Sequence, residues 1–149
     1  MKKTIFWGLL LLLLLGSGLP LGAYWLGLEN AIGRPVPPSS LRFSTTSAAV
    51  VWNQRKEVFP ITLRPITPWH FYDLLWCSRN DDTLEDFLTC NRKYPGLRAS
   101  AYVAKAHLIG KMKQNGVVWR YLSRTSLAIW MSRNWSSEQL VAELIRIGG

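Results

Sequence analysis

Between Lys3 and Glu29 the chain carries no charge. The uncharged interval, Thr4 to Leu28, is 25 residues long. It holds Ile5, Phe6, Trp7 and the run Leu9 to Leu15, then Leu19, Leu21, Ala23, Tyr24, Trp25, Leu26 and Leu28. As a helix, such a stretch is long enough to cross a bilayer hydrocarbon core with room for tilt. Trp7 near one end and Tyr24-Trp25 near the other fall where interfacial aromatics concentrate. The sequence therefore predicts one N-terminal transmembrane helix. Gly16, Gly18 and Pro20 also resemble the end of a cleaved signal, but a site after Ala23 would leave Leu21 where a small residue is expected. Anchor and signal alike put the rest of the chain outside the cytoplasm. Lys2-Lys3 favour a cytoplasmic N-terminus, which makes the expected placement a bacterial inner membrane, crossed once.

The chain has 149 residues, with eighteen Lys/Arg against nine Asp/Glu and a net charge of +9. Two of those cations precede the apolar run, so the remainder carries sixteen Lys/Arg, nine Asp/Glu and +7. A segment of this size forms one modest core, too small for a second domain, a full dinucleotide fold or a barrel enzyme. Outside the cytoplasm its positive charge points to anionic lipid headgroups, lipid-linked phosphate or acidic wall polymer, and away from nucleic acid. A solvated charge excess with no ligand is the other reading. Cys77 and Cys90, the only cysteines, are expected to form a disulfide in an oxidising compartment. With only His70 and His107 beside them, no zinc site or other resident cofactor is expected.

Composition divides the chain into residues 1–28 (cytoplasmic tip and anchor or signal), a Pro-rich stalk at 29–40 and an exported domain at 41–149. The stalk contains Gly33-Arg34-Pro35-Val36-Pro37-Pro38, a stiff extended sequence. Leu41 to Val51 and Glu57 to Leu63 carry β-branched residues around the polar Asn53-Gln54-Arg55-Lys56, which fits a short hairpin. The rest reads as helix. Thr67-Pro68 starts one that ends near Cys77, and Asp81 to Leu88 forms a short second. Ala99 to Met112 is a third, stopped at Asn115-Gly116, and Val117 to Arg133 a fourth. Ser136 as cap with Gln139 three later opens a terminal helix, with Trp135 and Leu140 as a staple.

In order, these segments resemble the family 51 glycosyltransferases, the membrane-anchored polymerases of peptidoglycan. Ile66-Thr67-Pro68 followed by Phe71, Leu74 and Leu75 is similar to the family's I-S-P and L-x-x-A-L-L helix. Ala99-Ser100-Ala101-Tyr102 falls on G-S-T-I, the start of its S-T-I-x-Q-Q helix. Trp119-Arg120 with Leu127-Ala128-Ile129-Trp130-Met131 resembles the W/L-R-K…L-x-L-x-L-E helix. Trp135-Ser136, Leu140-Val141, Leu144 and Ile145-Arg146-Ile147 resemble the W/L-S-K-x-x-I-L-x-x-Y-L-N segment. The resemblance implies a mostly α, lysozyme-like helical lobe and a cleft for a lipid pyrophosphate.

The departures fall on the chemistry. Ser78 and Ser132 occupy the two positions where the family has its essential glutamates, and a serine hydroxyl cannot serve as the base of glycosyl transfer. A shifted register places Glu85-Asp86-Phe87 on the E-D-x-x-F motif, with Glu85 as a surviving catalytic residue and a divalent metal as the implied helper. Arg98, Ser100, Lys105, Arg120 and Arg124 fall on segments that in the family line the pyrophosphate cleft, and guanidinium forks suit phosphate. Counting outward from Asn115-Gly116 sets Lys105 opposite Arg124 if the two helices pair antiparallel. The expected function is a catalytically degenerate, membrane-anchored relative that binds membrane lipid, lipid-linked precursor or glycan, or a membrane protein of wall synthesis. An active transferase using Glu85 and a small envelope scaffold or inhibitor are the alternatives.

Overall fold

The uncharged N-terminal run folds as one helix, α1 (Lys2–Asn30), in a computed structural model that describes residues 2–40, 42–74, 89 and 92–148. Its later part does not stand apart from the domain. Pro20, Tyr24, Gly27, Leu28 and Ala31 are buried, a spacing that puts them on one face of the helix. Trp25 and Leu26 on the other side stay exposed. Tyr72 reaches back to donate a hydrogen bond to the Gly16 carbonyl at 3.4 Å.

This packing corrects the expected transmembrane span. Among the described residues, no helix is long and apolar enough to cross a membrane. From about Gly16 onward α1 is in contact with the domain. The turns before it rise roughly 20 Å at 1.5 Å per residue, short of a hydrocarbon core of about 30 Å. With the span go the expectations that rested on it: single-pass inner-membrane placement, and membrane lipid, lipid-linked glycan precursor or a wall-synthesis membrane protein as partner. The membrane-anchored, precursor-binding glycosyltransferase relative is corrected on the same ground.

The expected hairpin is also corrected. Residues 45–54 form a helix, α2 (Thr45–Gln54), whose N-cap Ser44 accepts a hydrogen bond from the Ser47 amide at 3.0 Å. Val50 and Val51 favour strands locally, but α2 buries Trp52 completely, and burial of such a ring outweighs a propensity difference of tenths of a kcal/mol. No β-strand occurs among the described residues. Ala31 and Met112 make an isolated antiparallel bridge. Of the described residues, 66% are helical.

Thr67 precedes a 3-10 turn, Pro68–His70, and residues 71–74 continue as α-helix. The segment Asp81 to Leu88 lies outside the described residues, as do Ser78, Glu85, Cys77 and Cys90. The expected Cys77–Cys90 bridge therefore lies outside the described residues, among which no disulfide is present.

The remaining helices are α3 (Leu97–His107), α4 (Val117–Asn134) and α5 (Ser137–Gly148). Ser136 and Gln139 are joined reciprocally at the start of α5: the Ser136 amide donates to the Gln139 side-chain oxygen at 2.8 Å and the Gln139 amide to the Ser136 hydroxyl oxygen at 3.2 Å. α4 is the central element, flanked by α1 and α3, while α5 packs on α2 and α3. Val103, Leu127, Ile129, Met131, Leu140 and Leu144 fill the space between them with Trp52, Ile66 and Tyr94. Each large side chain so buried contributes about 1.5–3 kcal/mol of transfer free energy.

Asn30 fastens α1 to the turn before α4. Its side-chain amide donates to the Ser123 hydroxyl at 2.9 Å and the Gln114 carbonyl at 3.1 Å, and its oxygen accepts from the Gln114 amide at 2.7 Å. Residues 31–40 then run across the domain surface. The Ile32 amide donates to the Lys111 carbonyl at 2.9 Å. The Arg34 guanidinium caps the end of α1 by donating to the Leu28 carbonyl at 2.7 Å, where a cation also suits the helix dipole.

Candidate functional site

Glu57 and Gly96 set the position of α3. The Glu57 carboxylate is buried and accepts hydrogen bonds from the Gly96 and Ala99 amides, both at 3.0 Å. Two of the orphan N–H groups of the helix start are satisfied this way. Burial pushes the Glu57 carboxyl above its ordinary range, against the pull of the Ala99, Gly96 and Arg98 amides. Gly96 has φ +81°, and a Cβ there would meet the Thr62 carbonyl oxygen at 2.9 Å. The left-handed turn and the close approach both require glycine.

With its start fixed, α3 presents Arg98, Tyr102 and Lys105 at spacings of four and three, on one face. α4 presents Tyr121, Arg124, Thr125 and Ala128 at the same kind of spacing. These faces and the end of α2 enclose a cleft of about 500 Å³. Arg55 caps α2, and Lys56 after it takes the left-handed conformation, φ 55°. That turn brings both basic side chains to the cleft wall. Arg55 Cζ lies 3.4 Å from the centroid of the Tyr102 ring, a cation–π contact.

A second cavity of about 430 Å³ continues from the first and shares Lys105, Tyr121 and Arg124 with it. Its other lining residues are Leu108, Ile109, Gly110, Met112, Val117 and Arg120. Leu97 and Ala128 thus lie at one end, Ile109 and Val117 at the other, so α3 and α4 run antiparallel. Neither cavity has a carboxylate or an imidazole among its described lining residues.

The residues singled out by sequence divide clearly. Arg98, Lys105 and Arg124 line the larger cavity; Lys105, Arg120 and Arg124 line the smaller. Ser100 does not join them. It is fully buried, and its hydroxyl donates to the Gly96 carbonyl at 2.7 Å. Ser132, aligned by resemblance with a catalytic glutamate, lies in the core. Its hydroxyl donates to the Ile129 carbonyl at 2.8 Å and accepts from the Ile66 amide at 3.0 Å. In sequence Arg55 and Lys56 stand only as turn residues, and Tyr102 only as part of the Ala99-Ser100-Ala101-Tyr102 segment. The signal that could have found the first pair is two adjacent cations directly after a Ser-capped helix.

No family model, curated protein or solved structure matches this chain.

Other titratable groups are committed to the fold. Asp73 accepts from the Tyr94 hydroxyl at 2.6 Å and from Lys93 at 2.8 Å. These two partners hold its carboxyl below the ordinary range, Lys93 foremost. His70 hydrogen-bonds the Thr67 hydroxyl at 2.8 Å and meets the Tyr94 ring edge-on. Burial, aided by Lys111, pushes the His107 imidazole below its usual value. Among the described residues, no group of three or more His, Cys, Asp or Glu could hold a metal ion. The chemistry open to the cleft is the holding of negative charge. Its arginines offer fork-shaped donor pairs and its lysines point charges.

Proposed function

We propose that this chain is a small helical scaffold or inhibitor that works by gripping an acidic segment of a partner protein in the α3–α4 cleft. The observation that carries the reading is the convergence of Arg55, Lys105, Arg120 and Arg124 on two adjoining cavities that no carboxylate lines among the described residues. A random solvated charge excess spreads over a surface. Here cations from three elements face one concavity, where low-dielectric walls strengthen attraction for an anion.

Fluorescence anisotropy of the full-length protein with a labelled oligoglutamate peptide tests this. Binding should weaken steeply with salt, since the Debye length shrinks from about 10 Å at 0.1 M to about 3 Å at 1 M. The Lys105→Ala/Arg124→Ala variant should lose about tenfold or more in affinity, because both residues serve both cavities. Oligoglutamate that fails to bind, or a single-stranded oligonucleotide of equal charge that binds far more tightly, would remove the protein-partner reading.

A further inference from the structure

Resting on that reading, we infer that the partner segment is amphipathic: carboxylates seated between Lys105 and Arg124, with a bulky apolar side chain next to them in the second cavity. The two cavities differ in chemistry although they share their middle. The first is basic and walled by tyrosine. The second is floored by Leu108, which is buried, and rimmed by Ile109, Met112 and Val117. Ile109 is 77% exposed and Val117 76%, so two aliphatic side chains stand in water beside the charged centre. Leaving them there forgoes free energy that an apolar ligand group would recover on covering them.

Charge decides the class of occupant. An unmodified apolar peptide gains nothing from Lys105 and Arg124, and would have to strip water from both. A purely acidic segment gains from the cations but leaves the aliphatic rim uncovered. A segment that places acid and a large apolar side chain side by side satisfies both halves at once. The geometry sets its spacing. From Ala101, in the middle of the basic half, to Leu108 is seven residues of helical advance, roughly 10 Å at 1.5 Å per residue. An extended partner covers that distance in about three residues and a helical one in about two turns. Each cavity is also of a size that takes side chains rather than a whole folded element.

The test compares two labelled peptides on the full-length protein: a glutamate run followed three residues on by a leucine pair, and the same peptide with both leucines replaced by serine. The leucine peptide should bind about tenfold tighter, equivalent to about 1.4 kcal/mol. Ile109→Ser/Val117→Ser should erase that advantage while leaving the serine peptide unchanged. Both sites are exposed, and unchanged far-UV circular dichroism will show that the variant keeps its fold. Equal affinity of the two peptides for the wild type overturns this inference and leaves the acidic-segment reading in place. Absence of binding by both overturns the reading itself. Preferential binding to vesicles of anionic phospholipid over the leucine peptide would assign the apolar half to lipid and also overturn the inference.

Discussion

Arg55 stands over the Tyr102 ring with its Cζ 3.4 Å from the ring centroid, so the C-cap of one helix and the middle of another hold each other at the wall of the cleft. The contact orients a guanidinium whose Nε is buried without a hydrogen-bond partner among the described residues. Replacing Tyr102 by Phe keeps the ring and should leave stability nearly unchanged. Tyr102→Leu removes the π face and should cost about 1 kcal/mol. It should also lower acidic-peptide affinity, because Arg55 loses the support that aims it. Chemical denaturation together with peptide anisotropy separates the two effects.

Glu57 should give an unusual pH signature. Its folded-state pKa is raised, chiefly by burial, so the folded protein takes up the proton more readily than the unfolded chain. Stability from this group is fully present below the ordinary glutamate range and declines as pH rises through the folded value. Urea titrations of wild type and Glu57→Gln at pH 7 and pH 5 should show wild type gaining on the variant toward pH 5. A shift the other way would contradict the assignment. Glu57→Ala leaves the Gly96 and Ala99 amides without their acceptor and should cost about 2 kcal/mol or more at either pH.

Ser132→Glu installs the residue that the glycosyltransferase resemblance leads one to expect, and it should damage the fold. The site is 3% exposed and its hydroxyl already links Ile66 to Ile129. An unpaired carboxylate there costs several kcal/mol. Ser132→Ala, which only deprives the Ile66 amide of its acceptor, should cost about 1–3 kcal/mol. Thermal unfolding ranks the three proteins. A Glu variant as stable as wild type would mean that Ser132 faces open space.

Gly27 and Ser126 make a contrasting pair at the α1–α4 contact. A Cβ on Gly27 would press against Ser126 and meet the Leu122 carbonyl oxygen at 2.5 Å. Gly27→Ala should therefore destabilise by about 1–3 kcal/mol as the helices are forced apart. The Ser126 hydroxyl is buried with no partner among the described residues, so Ser126→Ala should be neutral or slightly stabilising. If Gly27→Ala proves harmless, α1 is not seated on α4 as described.

Sequence disclosed those parts of the fold that depend on near neighbours. Ser136 and Gln139 are three residues apart and form their capping box within one turn. Lys105 and Arg124 are reached by counting outward from Asn115-Gly116, and both side chains line the same two cavities. What lay beyond reach depends on distant partners. Val50 and Val51 look like strand until the core offers Trp52 a place. Glu57 looks like one exposed acid until Gly96, thirty-nine residues later, turns its amide toward it. Leucines bound for lipid and leucines bound for a neighbouring helix look alike in sequence. Only the face shared by Tyr24, Gly27 and Leu28 shows that α1 spends part of its length on the protein.

The clasp between Asn30 and Ser123 spans 93 residues of chain, and this separation sets a timetable for biosynthesis. At about 5–20 residues per second, the ribosome needs roughly 5–20 s after completing α1 to deliver the helix that covers it. During that interval the face of α1 that carries Tyr24, Gly27 and Leu28 has no helix to pack against. Nascent chains should therefore crosslink to a chaperone through α1 until α4 emerges, and a slow stretch of codons between the two would lengthen that dependence.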